Sequence, residues 1–229
     1  IVFIMNMPKK YLIILLMMSF GNFIHAQTRK NSGERLHPPV SGVLIQPMYA
    51  YQIPKGDLAQ RFSNNSWMGL GLHYKWKSNY QLGLAGGGMF AGSLIDNNAL
   101  SGITNPDGTV IGRNGQVMSV TAVQRGFNIN VEFGKLFILN KVNFNSGILV
   151  KAGLGFFQHK IFFGTGTRDI YQLDGDYKYG YDQLTNGYNF TGFLGYQYMS
   201  PNRRINLFAG VEYMAGFTQG RRNFNYNSR

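Results

Sequence analysis

A chain of 229 residues with 30 glycines, 15% aromatic and 14% charged residues reads as one β-rich domain. The absence of cysteine excludes a disulfide framework, thiol chemistry and cysteine metal sites. A net charge of +12 spread over turns, loops and one strand face, with no basic stripe, argues against nucleic-acid binding.

The N-terminal stretch "MPKKYLIILLMMSFGNFIHAQ" sets Lys9 and Lys10 before an apolar run from Tyr11 to Phe20 and reaches Ala26 before Gln27. That is the order of a secretory signal peptide, assigned to residues 1–26 with cleavage after Ala26. The run falls well short of the ~20 residues that a spanning helix needs. Residues 27–39 are polar and contain proline, and read as a periplasmic lead. Residues 40–229 read as the folded body.

Seven segments in that body alternate as two-faced strands. In "VSGVLIQPMYAYQI" the residues Val43, Ile45, Tyr49, Tyr51 and Ile53 share a face. In "SWMGLGLHYKWKS" Met68, Leu70, Leu72, Tyr74 and Trp76 stand opposite Gly69, Gly71, His73, Lys75 and Lys77. A turn over Lys77 to Asn79 leads into "YQLGLAGGGMFAG". After a long polar excursion carrying "NPDG" and "GRNG", the stretch "RGFNINVEFG" sets Phe127, Ile129, Val131 and Phe133 against Asn128, Asn130 and Glu132. The fifth segment is "VNFNSGILVKAGLGFF", with Lys151 on its glycine-rich face. A second long excursion precedes "YNFTGFLGYQYMS", and "INLFAGVEYMAGFTQ" places Glu212 opposite Val211 and Tyr213.

Connections alternate between long and short, as they do between the extracellular loops and periplasmic turns of outer-membrane barrels. The fold expected is therefore all-β, an antiparallel up-and-down transmembrane barrel of eight strands whose last strand is missing from this chain. An even strand count and the cost of an open edge in lipid both ask for that eighth strand. A hairpin over Val110 to Val117 entering the wall is the alternative, and a soluble sandwich would alternate in the same way.

Across residues 40–218 the pattern resembles the small Gram-negative outer-membrane barrels of the OmpA and OmpX type. The stretches "YQLDGDYKYGYDQLTNG" and "GYQYMSPNRRINLFAGVEYMAGFTQGRRNFNY" are also similar to uncharacterised barrels found alongside type IX secretion and gliding machinery. The resemblance implies a non-enzymatic structural or partner-binding barrel, an accessory of a secretion or motility complex, with no cofactor.

Candidate site residues follow from parity and height. His73, Lys75 and Glu132 fall low in the lumen, with Lys151 and Glu212 higher, as two charge-complementary clusters that plug it, because a buried charge is costly unless paired. Lysines snorkelling to water are the plainer reading. Arg125 has outward parity above the apolar band, where it can meet lipopolysaccharide phosphate or be simply solvated. Tyr171, Tyr177, Tyr179 and Tyr181, with Arg221 and Arg222, form an aromatic and basic loop surface suited to a protein partner or to a self-packed cap. Outer-membrane lipid is the other expected partner. A lipid-modifying barrel enzyme would need His159 joined by a serine such as Ser119 and an acid such as Asp169, and a narrow channel would need a conducting lumen.

Overall fold

A computed structural model describes residues 36–223 apart from 101, 106, 140, 165–168 and 203–204, without the side chains of 97 and 98. The segments read as a signal peptide and as most of the lead, and Phe224 to Arg229, lie outside the described residues.

The chain from His37 onward is all-β. Seven long strands form one antiparallel sheet in chain order: β1 (Gly42–Gln52), β2 (Asn65–Lys75), β3 (Tyr80–Ser93), β6 (Ala122–Ile138), β7 (Gly147–Phe163), β8 (Thr185–Met199) and β9 (Asn206–Gly220). They are the seven segments that alternation marks. Two short strands, β4 (Thr109–Ile111) and β5 (Val117–Ser119), pair only with each other, so the Val110 to Val117 hairpin stays out of the large sheet. One short helix, α1 (Asp57–Arg61), sits in the β1–β2 connection, where no helical periodicity announces it.

Boundaries move where local chemistry competes with the pattern. β6 runs on past Gly134 because Leu136 turns inward onto Leu149 and Phe193, a second apolar patch on the concave face besides that of Trp67, Met89 and Phe157. Residues 142–146 do not extend β7. Asn143 donates to Met199 O at 2.8 Å and its Oδ1 accepts from Asn145 N at 3.1 Å, which gives this backbone a turn in place of a ladder. Asn79 closes the β2–β3 turn at φ 64, a left-handed position that asparagine tolerates. A bulge between Met89 and Gly92 on β3, with Ala91 at φ 70, switches the inward parity from odd to even positions.

The sheet curls strongly. Gln81 on β3 donates to Gln197 on β8 at 2.7 Å although β6 and β7 lie between them. The concave face surrounds a cavity of about 1670 Å³ lined from Met48 on β1 to Thr218 on β9. No β1–β9 pairing exists among the described residues, so the sheet is not a closed barrel.

Its polarity is inverted relative to a soluble sheet. Concave positions bury Lys75 at 1% exposure and Glu132 and Lys151 at 4%, while Leu70, Val131 and Leu194 on the convex face stand 55%, 53% and 60% exposed. Aromatic rings gather where the convex face meets the short turns: Tyr74 against Trp76, and Tyr80 stacked on Phe133.

Candidate functional site

The interior is organised by register rows that cross the sheet. His73, Gly83, Glu132, Gly153 and Thr191 are successive partners on β2, β3, β6, β7 and β8. Gly83 is what lets the first and third members meet. A Cβ there would stand 2.2 Å from Leu72 O and 2.6 Å from the His73 ring, so any side chain would block the crossing. Across that gap His73 Nε2 and Glu132 Oε2 lie 3.0 Å apart.

The next row holds Lys75, Gln81, Gly134, Lys151, Phe193 and Glu212. Lys151 leans diagonally out of it to donate to Glu132 Oε2 at 2.5 Å, with Nζ 5.1 Å from the Phe193 ring centroid. Glu132 is therefore the hub of a single buried cluster, His73–Glu132–Lys151. The two clusters drawn from sequence heights divide differently. Glu212 lines the same cavity from edge strand β9 but makes no salt bridge among the described residues, because Phe193 lies between it and Lys151 in the row.

Lys75 belongs to a separate network at the short-turn end. Its Nζ donates to Val40 O at 3.1 Å and to Asn145 Oδ1 at 3.0 Å. Asn145 also accepts from Val40 N and donates to Pro38 O. The last residues of the lead thus dock onto the β6–β7 connection, reinforced by His37 N to Val142 O at 2.8 Å. Higher in the cavity amides replace charges: Asn189 donates to Asn130, Trp67 Nε1 to Asn128 and Asn65 to Gln124. Sequence parity places Asn128 and Asn130 inward, but only register gives them their partners.

Over the long-loop end, Leu100, Val110, Ile170, Leu173 and Tyr181 pack into an apolar cluster. Tyr181 is thereby buried, whereas Tyr171, Tyr177 and Tyr179 are exposed and the first two lie 5.2 Å apart. Arg222 forms a two-pronged contact with Asp182 and lies over the Tyr179 ring. Hydrogen bonding to Asp182 raises the guanidinium further above its ordinary value. Arg113 donates to Asp174 at 2.6 Å beside Tyr171. At a neighbouring loop tip, hydrogen bonds from the Thr109 hydroxyl and backbone N–H lower the Asp107 carboxyl below its ordinary value.

Arg221, just beyond β9, donates from Nε to Asn186 Oδ1, and Arg125 on β6 lies over Phe162 on the convex face. No family model matches this chain, and no curated protein and no solved structure matches it either. Its chemistry has to be read from its own geometry.

That geometry does not assemble a hydrolytic triad among the described residues. His159 faces the cavity between Phe157 and Phe62, at ring distances of 5.2 and 6.1 Å. Ser119 lies in the outlying hairpin opposite Thr109, and Asp169 accepts from Arg113 N through its backbone carbonyl. No three His, Asp or Glu side chains gather into a metal-binding group among the described residues.

Proposed function

We propose that the chain forms the wall of an exported outer-membrane β-barrel, with a plugged polar interior and loops that serve a structural or partner-binding role. One observation carries this reading: on six of the seven long strands, all but edge strand β9, charged and amide side chains are buried on the concave face, while large apolar side chains stay exposed on the convex face of all seven. In water such a face would be a severe liability, whereas hydrocarbon is its natural solvent. Strands of 11 to 17 residues exceed the ~10 needed for a tilted crossing. The aromatic rings at the short-turn end match the headgroup level of such a wall.

Strand direction supports closure by one more strand. β1 and β9 both run from the short-turn end toward the long loops, so direct pairing between them would be parallel in an otherwise antiparallel wall. One strand antiparallel to both edges closes the wall at eight and removes the edges that lipid does not tolerate. Eight strands leave an interior that side chains fill, which fits a plugged lumen better than passage of a large solute. The exposed Tyr171, Tyr177 and Tyr179 offer the partner surface.

Membrane fractionation and gel mobility test the reading. The full-length protein is expected in carbonate-resistant outer membranes, running at different positions before and after boiling. Recovery in the aqueous fraction without detergent would overturn it.

A further inference from the structure

The convex face carries an unexplained expense at its long-loop end. Arg125 on β6 and Lys160 on β7 are direct register partners with the same outward parity. Like charges placed directly opposite destabilise an antiparallel pair. Nothing on the wall offsets them, because the only carboxylates in the seven long strands, Glu132 and Glu212, have inward parity. Asp182, which accepts from Ile161 N through its backbone carbonyl, gives its carboxylate to Arg222. Among the described residues neither Arg125 nor Lys160 forms a salt bridge.

Their surroundings are those of a lipid head and tail. Below them lies the row Phe127, Gln158, Asn186 and Gln219, and below that the apolar band of Ile129, Phe156, Tyr188 and Phe217. The Arg125 guanidinium sits 5.4 Å from the Phe162 ring centroid. Arg221 adds a third cation beside Asn186, at 2.5 Å from its Oδ1. At the opposite end the outward cation Lys135 is already engaged, donating to Tyr80 Oη at 3.1 Å with the ring face 4.6 Å away.

We propose that Arg125 and Lys160, flanked by Arg221, bind the phosphate of a phosphorylated glycolipid whose acyl chains lie along the apolar band. A guanidinium presents a planar fork to phosphate oxygens and an ammonium adds a point charge, and both cost little at the interface. The inference rests on the outer-membrane reading and adds a ligand class to it.

Full-length protein in a phosphate-free sugar detergent, titrated with bisphosphorylated lipid A and with the same lipid stripped of phosphate, provides the test by native mass spectrometry. The phosphorylated lipid is expected to bind tenfold or more tightly than the stripped one, roughly what one or two charge-assisted hydrogen bonds supply. The double variant Arg125→Gln, Lys160→Gln is expected to lose that preference, whereas Lys135→Gln keeps it. If the double variant loses its folded gel mobility, Lys160→Gln alone is held to the same comparison. Unchanged lipid preference in the folded variant overturns the site, as does inorganic phosphate binding as tightly as the lipid. Protein that needs no detergent overturns the barrel reading as well. A detergent-bound, heat-modifiable protein with no phosphate preference overturns this inference alone.

Discussion

The charged cluster inside the sheet and the cap over its long-loop end are both buried, in opposite chemistries. His73, Glu132 and Lys151 reach one another across a glycine and a diagonal, so their contact depends on the register of four strands, β2, β3, β6 and β7. The cap buries Val110, Ile170 and Leu173 from segments far apart in the chain, and packing of this kind specifies shape without specifying single hydrogen bonds. The first arrangement makes alignment stringent; the second tolerates loop variation.

Breaking the hub should have the largest effect. Glu132→Gln leaves Lys151 buried without its counter-charge, and losing one member of such a pair costs about 3–5 kcal/mol. The expected readout is a marked fall in the urea midpoint of the refolded protein, and a midpoint within error of wild type would refute the hub. Ile170→Ala, at 0% exposure in the cap, should cost about 2–4 kcal/mol. That loss should appear as faster protease cleavage in the long loops while the gel mobility of the folded wall persists; simultaneous loss of both would mean that cap and wall are one cooperative unit. Arg113→Ala removes a half-exposed pair with Asp174 and should change stability by less than about 1 kcal/mol. A larger loss in thermal melting would show that the loop depends on this contact for its shape.

The strands were legible in the sequence because alternation at period two runs through most of each of them, from Met68 to Trp76 and from Phe127 to Phe133, and is broken in β3 only at its bulge. The pairings inside the sheet were not. Which cation meets Glu132 is set by register, and register depends on turn lengths and on the bulge at Ala91, neither of which parity records. Lys75 has inward parity like His73, yet its partners lie in the lead and in an asparagine-rich turn that no periodic pattern marks. The loop tyrosines show the same limit: Tyr179 and Tyr181 differ in burial because the second belongs to an apolar cluster assembled from distant segments.

The matching direction of β1 and β9 bears on assembly as well as architecture. In the proposed barrel, seven strands inserted alone would carry two rows of bare peptide groups into hydrocarbon, so a closing strand would have to be engaged before or during entry. In that barrel the unpaired edges of β1 and β9 are where a chaperone or insertion machine would have to hold the protein until closure.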